Sequence, residues 1–254
     1  MAENPVVIEQ FGRVLIITLN RPEARNAINQ EMAHAIAAAA DRLDNDPDLL
    51  VGILAGSPTA FSSGMDLKAF LRGESPMIEG QGLAGITERP PKKVLIAAVE
   101  GAALAGGCEL ALACDMIVAS RSATFGVPEV KRGLVAGGGG VINLPRRIPR
   151  NLAMEIILTG DPVTAERAYE IGLVNRLTDG SARFEALELA ETIAENAPLA
   201  VQVSKRVVYE SQDWPLDELY NRQNEKIGPV IMSQDAQEGA AAFAQKRKPI
   251  WQGK

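Results

Sequence analysis

Three short apolar runs, at residues 14–19, 49–55 and 94–99, constrain this chain more than any other feature. Each has the length and continuity of a strand buried on both faces, not of a half-exposed one. The second and third are followed by glycine-bearing turns, at Gly64 and at Gly106-Gly107, which permit sharp changes of direction. Between the first two runs, residues 30–43 carry Met32, Ile36 and Leu43 at helical spacing, which predicts an amphipathic helix. From residue 151 onward helical patterns dominate, with a short strand expected at 173–176. The pattern is that of an α/β protein with a helical tail.

Composition narrows this further. A chain of 254 residues, 46% of them hydrophobic, can bury a large core as one large domain or two small ones. No Pro/Gly/Ser-rich linker or low-complexity stretch divides it. No apolar run reaches the roughly 18 residues of a transmembrane helix. Residues 1–10 lack a basic region followed by an apolar stretch, so no secretory signal is expected and a cytoplasmic setting is. The two cysteines, Cys108 and Cys114, share one apolar segment and read as small buried hydrophobes. The net charge of −6 comes without a basic stripe, which makes nucleic acid a poor partner.

Two glutamates stand out. Glu109 follows Gly106-Gly107-Cys108, and Glu129 follows Phe125-Gly126-Val127-Pro128. Carboxyl groups among small and apolar residues lose hydration, which raises their pKa toward the range useful for proton transfer near neutrality. Each alone also has an ordinary reading, as a helix N-terminal charge or a solvated loop residue. The segment Phe61-Ser62-Ser63-Gly64-Met65-Asp66-Leu67-Lys68 adds weight. It predicts a strand, a glycine turn and a helix capped by Asp66. The N–H groups of Met65 and Gly106 can then converge as a hole for a developing oxyanion.

These segments resemble the crotonase superfamily, the enoyl-CoA hydratases and isomerases. The resemblance runs through residues 20–27 (Asn-Arg-Pro-Glu-Ala-Arg-Asn-Ala), 61–68, 101–115, 125–140 and the tail at 243–249. It implies a spiral of repeated β-β-α units over residues 1–195, then a helical oligomerisation region over 196–254 that forms trimers, often paired into hexamers. It further implies that Glu109 and Glu129 are the paired catalytic acids, and that Met65 and Gly106 hold the thioester oxygen. Ala24, Arg25, Met65, Asp66, Leu67, Lys68 and Gly106, with Phe243 and Lys246 reaching a neighbouring subunit, would contact the acyl-CoA. Coenzyme A belongs to the substrate, and no metal or redox cofactor is required by this chemistry.

Some positions depart from the family pattern. Glu100 stands where Asn is frequent and is expected to face solvent or a neighbour. Ala105 replaces a glycine, and Ala136 a proline. Gly137 to Gly140 lacks the order of a phosphate loop and reads as the turn into a helix near Val141. A serine hydrolase is a weaker reading, because His34, the one histidine, lies on a predicted surface helix. A silent acyl-CoA-binding protein would not need both acids. Within the superfamily, residues 61–69 and 233–251 resemble carnitinyl-CoA dehydratases in particular, which leaves dehydration, or isomerisation, as the alternative to hydration. Residues 71–91 are expected to form a mobile wall of the acyl pocket.

Overall fold

The computed structural model describes residues 4–57 and 59–254. The chain opens with an antiparallel hairpin of β1 (Val6–Phe11) and β2 (Val14–Leu19). Helix α1 (Gln30–Asn45) follows, with the side chain of Asn29 accepting from the Met32 N–H as its N-cap. Met32, Ile36 and Leu43 are buried, as their spacing predicts, and the helix runs two residues past the expected end. β3 (Val51–Ala55) is buried at every position. Leu49 and Leu50, also expected in this strand, instead lead into it, with Leu50 N–H donating to the Arg13 carbonyl at 2.8 Å.

From β3 the chain repeats one pattern. Each turn supplies a strand to a long sheet, a short strand to a second sheet, and a helical or irregular return. The turns are β3, β4 (Ala60–Ser62) and α2 (Leu67–Leu71), then a small hairpin of β5 (Met77–Ile78) and β6 (Gly82–Leu83). Next come β7 (Val94–Val99), β8 (Ala102–Leu104) and α3 (Gly106–Ala113), then β9 (Met116–Ser120) and β10 (Thr124–Gly126). α4 (Gly140–Arg147), α5 (Arg150–Thr159), β11 (Val163–Thr164), α6 (Ala165–Glu170) and β12 (Arg176–Thr178) complete the sheets. The long sheet has the order β1-β2-β3-β7-β9-β12 and the short one β11-β10-β8-β4. Pairing is parallel from β2 through β12 in the long sheet and from β4 to β10 in the short one, so the chain winds as a spiral.

Two expectations need correction. The strand predicted at 173–176 forms later, as β12, because Leu173 and Val174 are buried and donate their N–H groups to the Ala168 carbonyl, closing α6. Glu100 is not simply a solvent-facing side chain: half-buried, its carboxylate accepts from Ser181 Oγ at 2.8 Å and Ala182 N–H at 3.0 Å. It thereby caps α7 (Ala182–Ala194), whose first turn gains a negative charge at its positive end. Ala182, Ala186 and Ala190 form a small-residue ridge on α7 that lies against Val51, Ile53, Ile96 and Val118 of the long sheet.

The last three helices are α8 (Pro198–Glu210), α9 (Leu219–Ile231) and α10 (Gln234–Gln245). Among the described residues, α8 and α9 contain no buried side chain. α8 is tied down by one ammonium: Lys205 Nζ donates to the Pro91 carbonyl, the Lys93 carbonyl and Asp115 Oδ2 at 2.7, 2.9 and 2.7 Å. Leu216, Tyr220, Ile231, Met232, Phe243 and Ile250 are all exposed on this region.

Residues 20–27 are locked beside β4 by Asn26. Its side chain is fully buried, accepts from the Arg21 N–H at 2.8 Å, and donates to the Ala60 and Phe61 carbonyls at 2.9 and 3.1 Å. Ser62 Oγ returns a bond to the Asn26 carbonyl at 2.8 Å. Its φ of +53° is a conformation asparagine tolerates better than most residues. Truncation removes these three hydrogen bonds from a buried position, so Asn26→Ala is expected to destabilise the chain by roughly 2–3 kcal/mol, read from urea unfolding midpoints.

Candidate active site

Two turns meet at one point. The first joins β4 to α2. Gly64 sits at φ +91°, and a Cβ there would lie 2.8 Å from both Ala105 Cβ and Gly106 N. Ile28 holds this turn from outside, its N–H donating to the Gly64 carbonyl at 2.8 Å and its carbonyl accepting from Asp66 at 2.9 Å. The Met65 N–H between them is left pointing inward. The second turn joins β8 to α3. Ala105, the residue before the helix, has φ +52° and ψ −129°, a sparsely populated conformation that costs a side chain on the order of 1–3 kcal/mol. The Ala105 N–H holds it by donating to the Gly126 carbonyl at 2.9 Å. Gly106 is the first residue of α3, so its N–H has no partner within the helix. A Cβ on Gly106 would sit 3.5 Å from Met65 N. Among the described residues no backbone carbonyl accepts from either N–H. Two free donors thus open side by side.

Glu109 lies in the first turn of α3 and is buried. Its Oε1 accepts from the Gly140 N–H at 2.8 Å. The glycine run explains itself here. A Cβ on Gly138 would lie 2.7 Å from Glu109 Oε2, and one on Gly140 would lie 3.1 Å from Oε1. The run is a close approach of backbone to carboxylate before α4, not a phosphate loop. Burial pushes the Glu109 pKa up to about 7, the charge of Glu129 adds to this, and the Gly140 and Gly138 N–H groups oppose it. Glu129 lies half-buried in the 3-10 turn Pro128–Arg132. Burial raises its pKa too, against bonding from its own N–H and the charge of Arg132. Its Oε2 is buried with no protein partner among the described residues. Cys108, next to Glu109, is fully buried in this surface and its thiol is pushed up to about 12, mainly by burial, so it stays protonated.

The other expected residues fall into four groups. Ala24 and Arg25 lie beside the first turn, where the Arg25 carbonyl accepts from the Ser63 N–H at 3.0 Å. Leu67 and Lys68 are exposed at the start of α2. The Asp66 side chain is committed elsewhere. It caps α2 through the Lys68 and Ala69 N–H groups, both at 3.1 Å, and pairs with Arg21 at 3.1 Å. Burial pushes its pKa up, yet those bonds and the Arg21 charge hold it below the usual carboxylate value. Phe243 and Lys246 stand near the end of α10, which is packed on α9, and both are exposed. A single chain does not carry them on the elements that hold the acids.

Leu83 is a part of the site that sequence reasoning missed. Leu83 Cδ2 lies 3.0 Å from a Cβ placed on Gly106 and 3.1 Å from one placed on Gly138. No motif marks it. A separate cavity of about 520 Å³ lies at the other end of α3, lined by Leu112, Asp115, Arg147, Lys205 and Tyr209, and none of the expected catalytic residues borders it. His34 is exposed on α1, as expected.

A spiral α/β fold with two converging N–H donors, a buried Glu109 and a half-buried Glu129 whose charge acts on it is the constellation expected of an enzyme that stabilises an enolate and moves protons beside it. The sequence comparisons agree. The enoyl-CoA hydratase/isomerase family model matches residues 9–254. The chain is 43% identical to the enoyl-CoA hydratase EchA19 of Mycobacterium tuberculosis, covering 98% of this chain and 96% of that protein. It is 40% identical to the carnitinyl-CoA dehydratase of Salmonella typhi, covering 96% of each. The crystal structure of enoyl-CoA hydratase EchA1 from Mycobacterium marinum superposes with a TM-score of 0.97 at 56% identity, covering 99% of this chain and all of that one (100%). This protein belongs to the enoyl-CoA hydratase/isomerase family and has the crotonase fold.

The buried acid has a measurable cost. A carboxyl whose folded pKa lies above its unfolded value keeps its proton longer in the folded state. Stability therefore falls as pH rises from about 4.5 through about 7, and the loss is complete above that. Glu109→Gln removes this titration. The variant is expected to match or fall below wild type near pH 5 and to gain up to about 3 kcal/mol on it by pH 8. Thermal midpoints across that range are the check; parallel curves would contradict the burial.

Proposed function

We propose that this protein is an enoyl-CoA hydratase, adding water reversibly across the 2,3 double bond of an enoyl-CoA thioester. The observation that carries this is the placement of two proton-active carboxyl groups beside two free backbone donors. The thioester oxygen would accept from Met65 and Gly106 N–H. As water adds to the β-carbon, charge moves onto that oxygen, where both donors stabilise it. Glu109 would take the proton from the attacking water, and Glu129 would deliver one to the α-carbon. The charge of Glu129 acts on Glu109, so the two would titrate as a pair whose apparent pKa values belong to both.

Glu109→Gln and Glu129→Gln are each expected to lower kcat for crotonyl-CoA by roughly 10²–10⁴-fold while leaving thioester binding largely intact. Loss of the conjugated thioester absorbance reports the rate. Gly106→Pro has no N–H to donate, so the variant, where circular dichroism shows it folded, should lose at least about 10²-fold. Normal turnover in any of the three would overturn the assignments.

The 40% identity to the carnitinyl-CoA dehydratase of Salmonella typhi favours dehydration as the second reading. Elimination of a β-hydroxyl would run the same groups in reverse, with Glu109 as acid and Glu129 as base. Crotonyl-CoA, longer enoyl-CoAs and a trimethylammonium-bearing thioester, compared in both directions, separate the readings.

For assembly we propose a trimer or a pair of trimers built on residues 196–254, with Phe243 and Lys246 completing a neighbour's coenzyme A site. The exposed apolar side chains of that region support this. Sedimentation at micromolar concentration should give three or six copies; a fully active monomer would overturn it. We place the enzyme in the cytoplasm: among the described residues no helix is long and apolar enough to cross a membrane.

A further inference from the structure

We propose that Leu83 sets which substituent the substrate carries on its α-carbon, admitting hydrogen and excluding methyl. This rests on the acyl-CoA reading of the site above. The thioester oxygen lies at the Gly106 N–H, and the β-carbon lies at the carboxyl of Glu109. The α-carbon lies between them. Leu83 Cδ2 spans the same interval. It is 3.0 Å from the Cβ position of Gly106 and 3.1 Å from that of Gly138, which is itself 2.7 Å from Glu109 Oε2. The two glycines present no side chain there, so this methyl is the side-chain carbon common to both positions. Carbon atoms that do not bond need about 3.5–4.0 Å of separation, so a branch on the α-carbon competes with Leu83 for one space.

The backbone that carries Leu83 is held in place. Residues 82–86 are all buried. The Leu83 N–H donates to Thr87 Oγ1 at 2.9 Å, and the Ala84 N–H to the Pro76 carbonyl at 3.0 Å. Gly82, Ala84 and Gly85 all have positive φ, at +76°, +52° and +73°. Gly85 abuts α1 so closely that a Cβ would lie 2.5 Å from Ala37 Cβ. The wall over residues 71–91 therefore has two parts. Its outer part exposes Leu71 and Met77, while its inner part is keyed to the core and holds one leucine over the reacting carbons.

The test compares crotonyl-CoA with 2-methylcrotonyl-CoA in wild type, Leu83→Ala and Leu83→Val. Removing a packed methyl group changes discrimination by about 10–200-fold. Leu83→Ala is expected to shift the ratio of kcat/KM toward the branched substrate by at least about tenfold, and Leu83→Val by less. Affinities for the saturated thioesters butyryl-CoA and 2-methylbutyryl-CoA, by titration calorimetry, should shift the same way. An unchanged ratio in either folded variant, by circular dichroism and oligomer size, overturns the proposal. If wild type hydrates no enoyl-CoA, the hydratase reading fails by itself, and the calorimetric ratio still decides the role of Leu83.

Discussion

The contact between the Gly64 turn and the Gly106 turn is the constraint on which the site depends. Any side chain on Gly64 would strike the nitrogen of Gly106. Only at this spacing do the N–H groups of Met65 and Gly106 face one point. The rest of the local architecture keeps the two turns pressed together. Asn26 pins the early loop to β4, Ile28 clamps the first turn on both sides, and Ala105 accepts a strained backbone so that α3 starts where it does. A preorganised donor pair costs no reorganisation when charge develops, so the strain is stored in folding instead of in the reaction.

The acid beneath this pair illustrates the same trade. Glu109 is held by Gly140, and the backbone of Gly138 and Gly140 comes close to its carboxylate. A glycine run allows the main chain to come that close. The shift caused by burial makes Glu109 useful for proton transfer near neutrality and makes the folded state less stable there. Stability and activity pull in opposite directions at one carboxyl group.

The helices after Ala194 are built differently from the spiral. The core closes with the alanine ridge of α7, and α8 is attached through the three bonds of Lys205. Polar anchoring with little burial suits a segment whose apolar side chains are available for other surfaces.

Much of this was legible in the sequence, for local reasons. The apolar runs at 14–19 and 94–99 became strands at those residues, because complete burial needs continuous apolar character. Asp66 and the Met32-Ile36-Leu43 stripe behaved as capping and periodicity dictate. Glu109 and Glu129 were visible because carboxyl groups rarely sit among small and apolar residues without a task. What no local rule could decide was contact between distant segments. Glu100 became a cap because α7, far along the chain, starts beside it. The strand expected at 173 shifted to Arg176 because Ala168 captured the intervening N–H groups. Leu83, an ordinary apolar residue in an unremarkable loop, reached Gly106 and Gly138 because a sequence of positive φ angles keyed its hairpin to α1. The sequence by itself determined which residues could do the chemistry. The tertiary structure alone decided what surrounds them, since the shape of a pocket is set by groups that come together only when the spiral closes.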